Sequence, residues 1–180
     1  MAKKLSVLPT NQLLQQVWDY IINRPSKRGE HKKEIMECLY LLGWKVGLRI
    51  SESLEFDLNL EHGESQYRNL FLLRGKGKKE RWVYVGEEII KELRKRDWKP
   101  GPTNRFTFSK FLEKVKEEMR ISEKVELSPH TLRRCFATYQ AISGMPLPVL
   151  QKVLGHSKVS TTALYVKDGD LGNLVKFRPV

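Results

Sequence analysis

Apolar residues recur at helical spacing along most of this 180-residue chain and change to a strand pattern in one place. The clearest helical run places six apolar side chains on one face. They are Leu13, Leu14, Val17, Trp18, Ile21 and Ile22. The strand pattern is "YRNLFLLR" followed by "ERWVYV", separated by "GKGKK", which is typical of a hairpin with a tight or bulged turn. We therefore predict a mostly helical α+β fold with seven or eight helices and a small antiparallel β-sheet.

Caps, prolines and glycines set the expected helix boundaries. A first helix ends before Arg24, and the others are expected over about 33–44, 49–58, 87–98, 107–120, 129–143, 148–155 and 157–165. The pattern leaves room for a third strand near 55–61. The chain length suits a single domain.

The net charge of +12 is large for a chain of this size and predicts a polyanionic partner. A solvated basic surface is the alternative explanation. No apolar run approaches the ~20 residues of a membrane span, and the N-terminus lacks the apolar stretch of a signal peptide, so we expect a cytoplasmic protein. Two cysteines and four histidines without ligand spacing predict no metal and no cofactor.

Cleaving a phosphodiester without a metal requires several fixed cations around one phosphate, a nucleophile and a proton donor. Arg49 in "GLRISE" lies at a predicted helix start, where an anion is favoured. His130 and Arg133 in "SPHTLRRCFAT" are three residues apart, so they share a helical face. Each of these residues alone is also compatible with a surface or salt-bridged role.

The predicted hairpin tip is strongly basic. Lys76 lies there as a possible proton donor to a departing oxygen, and its basic neighbours could contact phosphates. These neighbours are Arg74, Lys78, Lys79 and Arg81. A flexible, solubilising turn is an equally good reading of the tip alone.

The stretch "LGHSKVSTTALYVK" contains His156 in a turn and Tyr165 near the end of a short predicted helix. A tyrosine phenol has a pKa of about 10, so a nucleophilic tyrosine needs a base or a strongly cationic setting. Taken alone, Tyr165 is a core or rim residue.

Taken in order, "GLRISE", "GKGKKERWVYV", "HTLRRCFAT" and "LGHSKVSTTALYV" resemble the motif series of the tyrosine recombinase catalytic domain, of the phage-integrase and Xer type. The resemblance covers about residues 11–166. It implies the catalytic fold of the DNA breaking-rejoining enzymes. It also implies one catalytic domain over 1–180, with a tail at 167–180 that packs in cis or in trans and without the family's N-terminal core-binding domain.

The resemblance also implies a role for each motif residue. Arg49 and Arg133 would clamp the scissile phosphate, and Lys76 would be the general acid toward the 5′ leaving oxygen. His130 would move a proton to and from the tyrosine. His156 would hydrogen-bond the phosphate, Tyr165 would form a 3′-phosphotyrosyl link, and Glu52 would support the site. Arg134, where many relatives carry histidine, could add a phosphate or acidic-residue contact.

The implied partner is double-stranded DNA, bound by a homotetramer that is monomeric when free, in a prokaryote, archaeon or mobile element. The implied activity is site-specific recombination or integration without a metal or cofactor. A topoisomerase IB-like relaxing enzyme shares this chemistry and is an alternative. Two further alternatives are a DNA-binding regulator that does not cleave and a basic helical interaction protein. In both, the positive charge would bind a polyanion without any strand cleavage.

Overall fold

The computed structural model describes residues 7–25, 33–62, 64–74, 80–101 and 103–156. Within these ranges the chain forms seven α-helices and one two-stranded sheet. The helices are α1 (Asn11–Asn23), α2 (Lys33–Trp44), α3 (Ile50–Glu55), α4 (Glu87–Lys95), α5 (Arg105–Glu118), α6 (Pro129–Ile142) and α7 (Leu147–Leu154). The strands are β1 (Leu70–Arg74) and β2 (Glu80–Tyr84), and short 3-10 turns occupy Leu58–Leu60 and Ser65–Tyr67. The prediction of a mostly helical α+β fold with a small antiparallel sheet is confirmed.

Polar side chains cap the N-terminal ends of three of the long helices. The Thr10 hydroxyl accepts from the Leu13 N–H at α1, and the Ser128 hydroxyl accepts from the Thr131 N–H at α6. Asn104 accepts from two N–H groups at the start of α5. Each cap satisfies backbone donors that have no partner inside the helix. The Asn104 cap also explains why α5 begins two residues before its predicted start.

The helix α2 forms the centre of the core, and its residues are buried almost all round from Met36 to Trp44. It packs against α1, α3, α4, α5 and α6. Gly43 permits the close approach of α6, because a Cβ atom there would lie 3.2 Å from the Leu132 side chain. A helix with apolar residues on every side is expected at such a central position.

The two strands pair in antiparallel register from Leu70 opposite Tyr84 to Arg74 opposite Glu80. The third strand considered near 55–61 is reduced to a single bridge between Glu61 and Phe71. The chain turns before it can form a longer ladder, since the Asp57 carboxylate accepts from the Asn59 N–H and starts a 3-10 turn.

Two helices end three residues before their predicted ends. The helix α4 ends at Lys95 instead of 98, because Asp97 adopts a left-handed φ of 48°. The helix α3 ends at Glu55 instead of 58. The predicted helix over 157–165 lies outside the described residues. In the described part of the chain, no helix is both long enough and apolar enough to cross a bilayer.

Gly47 joins the core to the start of α3 and has a positive φ of 74°. A Cβ atom there would lie 2.2 Å from a ring carbon of Phe136, so only glycine fits this turn. Phe136 belongs to a second apolar cluster between α6 and α7. This cluster fixes the C-terminal end of α7 beside the start of α3.

Candidate functional site

A buried carboxylate, Glu52, lies at the centre of the site, and its side chain is 4% exposed. The first turn of α3 positions it, because Glu52 Oε2 accepts from the backbone N–H of Arg49 at 2.8 Å. This contact is one half of a capping box. Burial alone would raise the pKa of Glu52, but hydrogen bonds and charge from Arg81, and then from Arg49, hold the pKa below its ordinary value.

Three guanidinium groups from different elements contact this single carboxylate. Arg49 Nη1 lies 2.8 Å from Oε1 of Glu52. Arg81 in β2 binds both oxygens, with Nη1 2.6 Å from Oε1 and Nη2 3.1 Å from Oε2. Arg133 in α6 places Nη1 3.5 Å from Oε2. We call Glu52 and these arginines the arginine cluster.

The C-terminal end of α7 provides the second set of acceptors for the arginine cluster. Its last carbonyl groups have no partner inside the helix and carry the negative end of the helix dipole, which favours cations there. Each of three consecutive carbonyl oxygens accepts from a different arginine of the cluster. The pairs are Val153 with Arg81 Nε (3.0 Å), Leu154 with Arg133 Nη2 (2.5 Å) and Gly155 with Arg49 Nη2 (3.4 Å).

His156 follows directly, after Gly155 ends α7 in the left-handed conformation. Arg133 Nη2 lies 3.4 Å from Nε2 of the His156 ring. Burial, and then the charges of Arg133, Arg49 and Arg81, lower the pKa of His156 to about 4, with Glu52 opposing them. The imidazole is therefore neutral at pH 7 and carries one donor and one acceptor nitrogen.

Exposure differs strongly within the arginine cluster. The side chain of Arg133 is 3% exposed, that of Arg81 is 14% exposed, and that of Arg49 is 42% exposed. Arg133 also donates from Nη1 to the Gly47 carbonyl oxygen at 2.8 Å, which fixes its guanidinium. The cluster therefore presents Arg49 to solvent over a layer of buried, oriented positive charge, an arrangement suited to an incoming anion such as a phosphate.

The structure brings four of the predicted site residues into contact around Glu52. Arg49, Arg133 and His156 come from separate motifs, and their convergence is what the motif series implied. Arg81 was predicted to contact DNA from the hairpin, yet its guanidinium lies on Glu52. The signal in the sequence was weak. Arg81 shares one strand face with Val83 and Val85 by period-two spacing, but Trp82 and Tyr84 on the other face are also apolar and do not mark which face is inward.

The remaining predicted residues lie on α6, where the charges of Arg133 and Arg49 still act on His130, or outside the described ranges. His130 is exposed on α6, and its pKa is lowered by partial burial and then by the charge of Arg134. Arg134 Nη1 lies 3.6 Å from the Glu126 carboxylate, which is the acidic contact considered for it. Lys76, Lys78, Lys79 and Tyr165 lie outside the described residues, as does the side chain of Arg74.

Metal-ligating side chains do not gather in the described ranges, where no group of three or more His, Cys, Asp or Glu residues could hold an ion. The two cysteines, Cys38 and Cys135, are buried, and burial raises the pKa of each thiol to about 12. Neither thiol is activated for nucleophilic chemistry.

The sequence of residues 11–170 matches the model of the phage integrase family. The chain belongs to that family, which includes the tyrosine recombinases. Among curated relatives, tyrosine recombinase XerD of Pseudomonas putida is 33% identical over 154 aligned residues, covering 76% of this chain and 49% of the relative. Tyrosine recombinase XerC of Thermodesulfovibrio yellowstonii is 31% identical over 169 residues, covering 82% and 53%. The chain thus spans about half the length of these relatives.

Solved structures of recombinases share the fold. The XerA recombinase gives a TM-score of 0.75 at 18% identity, covering 99% of this chain and 67% of that one. The XerH recombinase bound to its palindromic difH substrate, in a post-cleavage complex, gives 0.74 at 20% identity, covering 96% and 52%. The catalytic fold predicted from the motif series is confirmed.

Proposed function

We propose that this domain cleaves and rejoins DNA strands as part of a site-specific recombinase or integrase. The observation that carries the proposal is the arginine cluster, in which three guanidiniums from α3, β2 and α6 converge on Glu52 and Arg49 reaches solvent. Such fixed cations stabilise the extra negative charge that a phosphate acquires during displacement. The XerH relative captured with difH DNA supports DNA as the partner.

In the proposed reaction, Arg49 and Arg133 bind the scissile phosphate and His156 donates a hydrogen bond to it. The Tyr165 oxygen attacks phosphorus, forming a 3′-phosphotyrosyl ester as the bond to the 5′ oxygen breaks. Lys76 gives a proton to that leaving oxygen, and His130 accepts the tyrosine proton. These roles come from the family resemblance, since Lys76 and Tyr165 lie outside the described residues.

The neutral form of His156 suits this role. A pKa of about 4 means that the ring adds no fourth full charge beside the guanidiniums at pH 7. It can therefore donate from one nitrogen while the other nitrogen accepts. One ester replaces another in the reaction, so the strand can be resealed by the 5′-hydroxyl without an external energy source.

The same proposal includes a tetramer on DNA. Four copies would act on two DNA sites and exchange strands one pair at a time, and a free copy would be monomeric. The site is expected to need no metal ion, because the guanidiniums supply the positive charge that metals supply in other phosphoryl-transfer sites.

A duplex with a nick close to the cleavage point tests the proposal. The short fragment between the cleavage point and the nick carries the 5′-hydroxyl, and once it diffuses away the covalent intermediate cannot be resealed. We expect an adduct of protein and DNA that resists denaturation and is absent in Tyr165→Phe. Tyr84→Phe is the matched control, since Tyr84 is 62% exposed on the outer face of β2. The control should form as much adduct as the unaltered chain.

Three outcomes separate the alternatives. If no duplex gives an adduct, the relatives' recombination sites included, cleavage is contradicted and a DNA-binding regulator is favoured. Relaxation of supercoiled plasmid without a sequence requirement would favour a topoisomerase IB-like enzyme. An adduct that persists in Tyr165→Phe would assign the nucleophile elsewhere.

A further inference from the structure

Arg81 makes the most extensive contacts of the three arginines with Glu52. It binds both carboxylate oxygens, at 2.6 and 3.1 Å, and its Nε donates to the Val153 carbonyl oxygen at 3.0 Å. Described residues therefore accept from three of its five N–H donors, and its side chain is 14% exposed. Its part in the site differs from that of a residue that contacts DNA.

The bidentate contact limits what Glu52 can do with Arg49. A carboxylate and a guanidinium prefer to pair through two parallel hydrogen bonds. Because Arg81 occupies both oxygens, the Arg49 guanidinium contacts Glu52 through Nη1 alone, at 2.8 Å from Oε1. Among the described residues, its Nη2 makes one contact, the long one of 3.4 Å with the Gly155 carbonyl oxygen. Arg49 is thus held at one end and keeps donors for an anion.

We propose that Arg81 is a positioning residue of this site, which occupies Glu52 so that Arg49 and Arg133 remain oriented toward an incoming phosphate. Without Arg81, Glu52 would take Arg49 into a bidentate pair and turn its donors away from solvent. Loss of Arg81 would also remove the donor to the Val153 carbonyl oxygen and so release the end of α7. The effect of this role on cleavage rests on the proposed function. Its effect on phosphate binding rests on the geometry of the arginine cluster and is independent of that function.

The surroundings of Arg81 support its fixed position beside the end of α7. A Cβ atom at Gly155 would lie 2.9 Å from Arg81 Cδ and 3.1 Å from its Nε, so the chain leaves room for this side chain beside the end of α7. Lysine cannot replace it, because an ammonium is a single point charge and cannot bind two carboxylate oxygens and a carbonyl in one plane.

The direct test is a titration of the free chain with inorganic phosphate. Binding is monitored through the NMR signals of the arginine Nε–H groups. We expect Arg81→Gln and Arg81→Lys each to weaken phosphate binding by about tenfold, the scale of one lost charge-assisted hydrogen bond. The matched control, Arg94→Gln, removes one charge from the exposed surface of α4 and should change binding less than about twofold. Full retention of binding in Arg81→Lys would overturn the proposal, because charge alone would then suffice.

A double-mutant cycle tests whether Arg81 acts through Glu52. In a Glu52→Gln background, Arg81→Gln should add little further loss of phosphate binding. An undiminished loss there would mean that Arg81 contacts the anion itself and would overturn a positioning role. If Arg81→Gln does not fold, Gly155→Ala displaces the same side chain while keeping its charge, and it should weaken phosphate binding in the same direction.

Adduct formation on a nicked duplex then connects the site to catalysis. The rate should fall in Arg81→Gln and Arg81→Lys while noncovalent DNA binding stays close to that of Arg94→Gln. Absence of adduct in the unaltered chain would contradict the proposed function and leave the phosphate result standing. A normal cleavage rate in Arg81→Lys, with the unaltered chain active, would contradict the inference alone.

Discussion

At the scale of single residues, His156 reports how strongly the arginine cluster acts on its surroundings. Burial and the nearby charges of Arg133, Arg49 and Arg81 lower the pKa of its ring to about 4 from an ordinary 6.5. We predict that an NMR titration of the free chain will find this pKa. Arg81→Gln should raise it, because one of the opposing charges is lost. Arg94→Gln should leave it unchanged, and a pKa near 6.5 in the unaltered chain would contradict the half-buried position of the ring beside the arginines.

The same shift determines how stability responds to pH. A histidine whose pKa is lower in the folded state binds fewer protons than in the unfolded chain between about pH 4 and 6.5. The free energy of unfolding should therefore fall as the pH drops through that window. Glu52, whose pKa is also lowered, adds a further loss at more acidic pH. The variant His156→Gln should reduce the first of these two slopes and leave the part that the lowered pKa of His130 contributes.

At the scale of elements, the end of α7 holds the arginine cluster together, and Gly155 is its critical residue. Gly155 has a φ of 62°, and a Cβ atom there would meet Arg81. Gly144, after α6, has a φ of 91° and nothing within 4 Å of a Cβ atom. Gly155→Ala and Gly144→Ala should each cost about 1–2 kcal/mol of unfolding free energy for the left-handed conformation. Only Gly155→Ala should also slow adduct formation.

The two measurements are urea unfolding and the rate of adduct formation. Gly144→Ala controls for backbone strain, since it changes a helix end without touching the cluster. Equal rates in the two variants would show that the Arg81 contact with α7 has no effect on the reaction. A slower rate in Gly144→Ala alone would place the sensitive element at α6 instead.

At the scale of the whole molecule, the sequence predicts most helices because their apolar faces and caps are local properties. The bounds of α2 match the predicted 33–44, and α6 matches to within one residue. The ends of α3 and α4 were missed because they depend on single backbone turns, such as that at Asp97, which no periodic pattern records. The third strand was overestimated because an Asp57 side-chain contact starts a turn there.

The candidate site was predictable in its residue types but only partly in its contacts. The motif series assigned Arg49, Glu52, Arg133 and His156, which the structure brings together. The acceptors at the end of α7 could not be foreseen, because carbonyl groups leave no mark in a sequence and their role depends on tertiary packing. The inward role of Arg81 was hidden by its position beside a basic turn.

The net charge of +12, from 33 basic and 21 acidic residues, makes the salt dependence of DNA binding the most informative property of the whole molecule. Each neutralised phosphate releases counterions, so six contacts would weaken binding by about 10³-fold between 50 and 200 mM salt. We predict a slope of this order with a fluorescent duplex. Arg49→Gln should lower the slope by about one contact if its exposed guanidinium binds a DNA phosphate, as proposed.

The matched control for Arg49→Gln is Lys99→Gln, which removes the same charge from a largely exposed pair with Asp97. Its slope should stay close to that of the unaltered chain. Equal reductions in both variants would mean that net charge alone drives binding, as in a basic protein without a phosphate site, and heparin would then compete as well as DNA of equal charge. A reduction confined to Arg49→Gln would instead mean that the cluster contacts the DNA backbone even before cleavage, because a bound phosphate is lost with the most exposed guanidinium of the arginine cluster.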